Sequence, residues 1–349
     1  MKILYGIQGT GNGHLSRARS VVPILKEFAQ VDTVLSGTES QVAVDFEINY
    51  RFNGLPFVSS KKGKVDILKS IVKSHPIDLI RDIRRFPISN YDLVISDFEP
   101  ISSWSALLKG VPSIELSHNV SVASKESPKP YSKDKMGEYV LTHYCPSNLK
   151  FGFHFEKYNP TTFLPVIRKE VRNLVPITED FYLVYLPAYH DQYISEILSF
   201  FDVEWVVFSK YTVKSYSKKN VQFHPIENDH FLLQIEKCRG VLCGAGFELP
   251  AEVMYLGKKL MVIPMIGQFE QLCNAQALKK MKVSTIPALD LAYYRSIHFW
   301  LQFELPIRVD YPDTLREDLR NVLTEGVKLI HKKQPSKPIS ALSLMRYFV

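Results

Sequence analysis

The sequence predicts an α/β protein of two doubly wound parallel-sheet domains facing a cleft. Short apolar runs alternate with longer segments of helical periodicity, the alternation occurs twice, and in each half an apolar run empties into a glycine-rich turn. The length agrees, because 349 residues at roughly 150 per domain make two domains.

The first half opens with Ile3, Leu4, Tyr5 and Ile7, a run too short for a helix and closed by glycines, so residues 2–8 read as a buried strand. Leu15, Ala18, Val22 and Leu25 recur at helical spacing and predict a helix over 14–28. Residues 33–36, 93–96 and 113–116 are further strands of this half. The second half repeats the pattern, with strands at 182–186, 205–209, 221–224, 241–243 and 260–263 and helices at 192–201, 229–237, 247–256 and 268–281. Between the halves, residues 159–176 carry scattered prolines and no convincing strand, which suits a linker. The boundary falls near Val171, giving domains 1–170 and 171–335. Pro335 and Pro338 mark a loop before a short apolar helix candidate, 336–349, that would fold back on the first domain.

Composition narrows the function classes. Hydrophobic residues at 46% and charged residues at 23% are ordinary for a soluble domain and exclude disorder or a fibre. A net charge of +7 does not by itself imply nucleic acid, and no recognition motif or interleaved aromatics accompany the basic residues. No apolar run reaches the ~18 to 20 residues of a membrane span, and the start runs straight from strand into glycine loop rather than forming a signal peptide, so the cytoplasm is the expected compartment. Cys145, Cys238, Cys243 and Cys273 lack CxxC spacing, which predicts buried thiols rather than a disulfide framework or a metal site. Residues 61–86 hold eight Lys or Arg against three Asp, with isoleucines at helical spacing broken by Pro76. They read first as a solvated helical face and second as a surface for anionic lipid at the inner face of the membrane or for an anionic acceptor.

Three blocks carry chemistry. Gly9-Thr10-Gly11-Asn12-Gly13-His14 follows a strand and precedes a helix, so glycines let the backbone approach a ligand while the helix start offers free N–H groups. A dinucleotide loop would need a small residue where His14 stands and an acid closing the second strand, where Ser36 and Gly37 stand instead. NAD therefore ranks low. Gly244-Ala245-Gly246-Phe247 again joins a strand to a helix and forms an anion site, and Glu252, about one and a half turns beyond Gly246, could reach a ribose. Past the following strand, Gln268, Glu270, Gln271 and Asn274 offer donors and acceptors to sugar hydroxyls, although helix capping explains them as simply.

In this order the blocks resemble the GT-B glycosyltransferases of family 28, which include the N-acetylglucosaminyltransferase that completes lipid II and diacylglycerol glycosyltransferases. The resemblance implies two Rossmann-like domains. It also implies inverting, metal-independent transfer of a hexose or N-acetylhexosamine from a UDP-linked donor to an acceptor hydroxyl, in cell-envelope glycan or glycolipid synthesis. The implied partners are a nucleotide-sugar donor and a glycan or lipid-linked acceptor, with no other cofactor and no nucleic acid. It puts Gly11, Asn12 and Gly13 on the acceptor side, Gly244, Ala245, Gly246, Phe247 and Glu252 on the diphosphate and ribose, and Gln268, Glu270, Gln271 and Asn274 on the donor sugar.

Such a transfer needs a base for the acceptor proton. His14 leads, because the glycine context lifts it above an ordinary structural histidine. Asp97 and Glu99 end a buried strand where ligands of open sheets gather, and His118, ending the next strand, would sit beside Asp97 and could assist it, with Glu99 and His118 on the acceptor side. Two alternatives stay open: a nucleotide-sugar 2-epimerase of the same fold, and a non-catalytic nucleotide-sugar-binding protein.

Overall fold

A computed structural model describes residues 1–37, 44–54, 76–131 and 134–332. The first sheet takes β1 (Lys2–Gln8), β2 (Gln30–Ser36), β3 (Tyr50–Phe52), β4 (Leu93–Asp97), β5 (Ser113–Leu116), β6 (Leu149–Phe153) and β7 (Thr162–Phe163). Its helices are α1 (Asn12–Phe28), α2 (Pro76–Arg85), α3 (Pro100–Lys109), α4 (His118–Ala123) and α5 (Lys135–His143). A one-turn helix, α6 (Lys169–Arg172), lies in the crossover. The second sheet takes β8 (Phe181–Tyr185), β9 (Glu204–Phe208), β10 (Tyr216–Lys218), β11 (Val221–His224), β12 (Gly240–Gly244), β13 (Lys259–Ile263) and β14 (Ser284–Thr285). With it go α7 (Asp191–Leu198), α8 (Asn228–Lys237), α9 (Glu248–Leu256), α10 (Phe269–Lys280), α11 (Tyr294–Gln302) and α12 (Leu315–His331).

Both sheets have the doubly wound order, β3-β2-β1-β4-β5-β6-β7 and β10-β11-β9-β8-β12-β13-β14. Every pairing is parallel except β10 with β11. Strands covered on both faces must be apolar throughout, and β1 is buried from Ile3 to Gln8. The order reverses direction between β1 and β4 in one sheet and between β8 and β12 in the other, and such switch points are where open sheets leave room for ligands. Register brings the strand ends level there, with Ile7 opposite Asp97 and Gln8 opposite Ser36. At this end Gly6 is required: a Cβ on it would meet the Ser102 Oγ at 2.5 Å, because the start of α3 packs directly on β1.

The expected strands and helices are present, with three differences. The stretch expected to be a strandless linker holds β7, paired in parallel with β6, and α6. His118 does not end a strand: the Ser117 side chain accepts from the Val120 N–H and caps α4, so His118 is the first residue of a helix. The chain also returns earlier than expected. α12 lies on the first sheet, where a Cβ on its Gly326 would come within 2.6 Å of Leu93 Cδ2, and Arg316 and Arg320 stack over the Phe28 ring at 5.5 and 5.9 Å. The proposed returning helix 336–349 lies outside the described residues, as do residues 61–75 of the basic stretch. In α2, Leu79 and Ile83 turn into the core while Arg81, Arg84 and Arg85 face solvent, the solvated-face arrangement. One apolar cluster runs from Ile3 and Leu15 through Val171 to Leu183, Val253 and Leu319, so the two sheets and the returning helix share a core. All four cysteines are buried free thiols.

Two predictions follow from this packing. Gly326→Val drives a side chain into Leu93 and Ile114 and costs about 1–3 kcal/mol in urea unfolding. Glu115 is 1% exposed in β5, where burial pushes its carboxyl up to about 7 against the opposing pull of Lys150, 3.1 Å away. A folded-state value above the unfolded one means stability is full at acid pH and falls as pH rises through 7. The stability of Glu115→Gln relative to wild type therefore improves by roughly 3 kcal/mol between pH 4.5 and pH 8; no change across that range contradicts the burial of a carboxylate here.

Candidate active site

The first glycine loop is shaped by close approach. Gly9 N–H donates to Ser36 O at 2.7 Å, and a Cβ on Gly9 would sit 2.8 Å from Gly37 O. α1 then begins directly after Gly11, a residue with no side chain to cap it. His14 stands in this first turn and Arg17 one turn later on the same face. His14 Nδ1 lies 2.9 Å from Asp97 Oδ1. Arg17 clasps the same carboxylate with Nε at 2.9 Å on Oδ2 and Nη2 at 2.6 Å on Oδ1. Asp97 has no exposure; burial alone would raise its carboxyl, but Arg17 and then His14 reverse this and hold it below the usual range. The next residue, Phe98, takes a left-handed backbone (φ 58°), a strain of order 1–2 kcal/mol for a residue with a Cβ. It lays its ring parallel to His14, centroids 6.5 Å apart, and against Tyr144 at 4.8 Å.

Glu99 does not face the cleft. It is fully buried and caps α3, accepting from Ile101 N at 2.8 Å, Ser102 N at 2.7 Å and the Ser36 hydroxyl, with burial raising its carboxyl.

On the opposite sheet, β12 ends in Gly244, and Ala245 N–H donates to Ile263 O at 3.2 Å. A Cβ added at Gly246 meets nothing within 4 Å, as at Gly11 across the cleft, so both loops open into unfilled space. Glu252 is 2% exposed and held by Arg168 of the crossover, Nε on Oε1 at 2.7 Å and Nη2 on Oε2 at 2.8 Å. Gln271 Oε1 accepts from Met265 N at 2.9 Å, while the buried Gln268 Oε1 has no partner. Burial raises the Glu270 carboxyl, and Asn274 Nδ2 donates to Ala245 O at 3.1 Å and to Glu270 at 3.3 Å.

Among the contacts between the two sides, three are polar seams at the cleft. Arg17 Nη1 donates to Glu248 at the start of α9, and a Cβ on Gly13 would lie 2.5 Å from Glu248 Oε2. Asn12 Nδ2 donates to the Tyr185 hydroxyl, 3.0 Å, at the end of β8. His118 bonds to Asn274 of α10 rather than to Asp97: its Nδ1 is 2.9 Å from Phe153 O and its Nε2 2.8 Å from Asn274 Oδ1. Its ring lies flat on Phe247, centroids 3.9 Å apart and planes at 5°. Burial pushes His118 down to about 3. The neutral ring has a single N–H, which serves only one of these two oxygens, and the ring is a wedge between the halves.

The structure thus brings together His14, Asp97, Gly13 and the start of α9, and adds Arg17, Glu248 and Arg168, which sequence reasoning missed. The signal for Arg17 was its spacing of three from His14, one helical face above the loop. Glu248 carried the signal of an acid in the first turn after a glycine bend. Among the described residues no group of three or more His, Cys, Asp or Glu is arranged to hold a metal ion.

Comparison with known proteins bears on this geometry. A family model described as glycosyl transferase family 1 matches residues 1–302. No curated protein sequence matches the chain. Among solved structures, the chain is similar to UGT89C1 of Arabidopsis thaliana complexed with UDP-L-rhamnose, with TM-score 0.57 and 13% identity over 94% of this chain and 99% of that one. It is also similar to the glycosyltransferase VinC in complex with DTDP, at TM-score 0.53 and 10% identity over 95% of this chain and 100% of the other. A third is the glycosyltransferase SnogD from Streptomyces nogalater, at TM-score 0.51 and 12% identity over 94% and 96%. At these identities the likeness establishes the fold, and the expected GT-B architecture is the observed one.

Asn274→Ala removes the amide that Ala245 O accepts from at the seam and costs about 1–3 kcal/mol in urea unfolding. His118 also gives the seam a pH dependence. The unfolded chain protonates a histidine near ~6.5, whereas the folded ring waits until about 3, so its share of stability is full above 6.5 and lost as pH falls toward 3. Urea midpoints of His118→Gln between pH 7 and pH 4 should fall less steeply than those of wild type; equal slopes contradict a neutral buried ring.

Proposed function

The chain belongs to glycosyl transferase family 1, and on that premise we propose that it moves a hexose or N-acetylhexosamine from a UDP-linked donor to an acceptor hydroxyl with inversion. The narrower motif likeness to family 28 favours a glycan or lipid-linked acceptor in cell-envelope synthesis, on the cytoplasmic side of the membrane. Contact with anionic lipid through residues 61–86 remains part of this proposal.

The observation that carries the reading is His14 Nδ1 against the buried, ionised Asp97 at the switch point of the first sheet. An Nδ1–H donated to Asp97 fixes the tautomer and leaves Nε2 as the acceptor of a proton. In one displacement the acceptor oxygen attacks the anomeric carbon, the bond from that carbon to the diphosphate oxygen breaks, and the diphosphate leaves with the electron pair. The acceptor proton passes to His14 Nε2, and Asp97 stabilises the imidazolium. A single displacement inverts the anomeric centre. On the donor side, the bend at Gly244, Ala245 and Gly246 and the start of α9 offer backbone N–H groups and a helix dipole to the leaving diphosphate, so the proposal calls for no metal ion or further cofactor. Glu270 and Gln271 are suited to sugar hydroxyls, whereas Asn274 is buried behind them on Ala245 O and Glu270. A ribose at Glu252 would share that carboxylate with Arg168.

UDP release from a panel of UDP-hexoses and UDP-N-acetylhexosamines, with a bacterial lipid extract as acceptor source, tests the reading. His14→Gln should lower kcat by about 10²–10⁴ with little change in UDP affinity. Turnover unaffected by His14→Gln removes the histidine from the chemistry, and a wild type that releases no UDP from any donor removes the donor class.

A further inference from the structure

Resting on the donor-site reading above, we propose that Arg17 binds the leaving diphosphate, and that Glu248 is a built-in stand-in for that diphosphate, displaced when the donor enters. The anionic groups crowd Arg17, whose one guanidinium pairs with both Asp97 and Glu248. Adding a diphosphate beside these two carboxylates would be strongly opposed unless one of them leaves.

The geometry says which one. Asp97 has no exposure and is held by both Arg17 and His14. Glu248 keeps 20% of its side chain exposed and reaches Arg17 through Nη1 alone. Rotating Glu248 outward frees one face of the guanidinium while Nε and Nη2 stay on Asp97. The space it vacates is anion-shaped by its present occupant, since the carboxylate of Glu248, the first residue of α9, lies between Nη1 of Arg17 and the bare Gly13 of α1, and a helix start favours negative charge. Gly246, two residues before Glu248, faces open space on the same turn. Arg17 would then both orient Asp97 and meet the charge that develops on the leaving group, which a planar fork with separate nitrogens can do.

Isothermal titration with inorganic pyrophosphate and with UDP, on full-length wild type, Glu248→Gln, Arg17→Lys and the double variant, tests the exchange. Removing the competing carboxylate should tighten pyrophosphate and UDP at least tenfold in Glu248→Gln, and the double variant should lose that gain because it acts through the Arg17 fork. Glu248→Gln leaves the buried Arg17–Asp97 pair in place, so its result stands even if Arg17 variants fold poorly. Unchanged or weaker binding in Glu248→Gln, with UDP bound by wild type, overturns the exchange alone. UDP and pyrophosphate bound by neither protein overturn the donor site together with it.

Discussion

Arg17 is the constraint around which the molecule closes. A guanidinium that is 2% exposed is tolerable only if its charge is met by carboxylates held at hydrogen-bonding distance, and two supply it from different sheets. Asp97 comes from the end of β4 and Glu248 from the start of α9, so one side chain fixes the base candidate His14 on one side and the anion-favouring helix start on the other. The left-handed Phe98 and the missing Cβ of Gly13 are local concessions to this meeting. Pairing also explains why Asp97 remains ionised in a place where burial would otherwise protonate it.

Around that centre the halves are tied by further contacts. The His118 ring lies on Phe247 and bonds across to Asn274, Arg168 of the crossover binds the α9 carboxylate Glu252, and α12 returns from the second half onto the first sheet. Each uses a residue type that could equally serve a ligand. The separation of the two roles comes from burial: His118 and Glu99 are closed in and spoken for, whereas His14 and Glu248 keep partial exposure.

Much of this was legible in the sequence, for physical reasons. Parallel strands buried on both faces leave continuous apolar runs, and helices that follow glycine turns leave a change of period, so the central strands of both sheets and the helices α1 and α7 to α10 could be read directly. Edge strands such as β3 and β7 are two or three residues long and carry no pattern, and α12 shows its amphipathic face without showing which sheet receives it. At the site, His14 and Asp97 were visible because each ends a strand or loop at the carboxyl edge. Their mutual bond, the capping role of Glu99 and the capture of Glu252 by Arg168 depend on contacts between residues 80 or more apart or on side-chain direction, which spacing does not encode.

The central claim is that the facing switch points, joined through Arg17, hold the diphosphate of a nucleotide sugar. Thermal unfolding in the presence of UDP, GDP and dTDP, their sugar conjugates, the corresponding nucleosides and NAD tests it most directly. The account predicts that one nucleoside diphosphate series raises the melting temperature, with about 2.7 kcal/mol of stabilisation at ~100 times its dissociation constant, and that the nucleosides alone do not. No shift with any diphosphate, or a shift with NAD only, would contradict it.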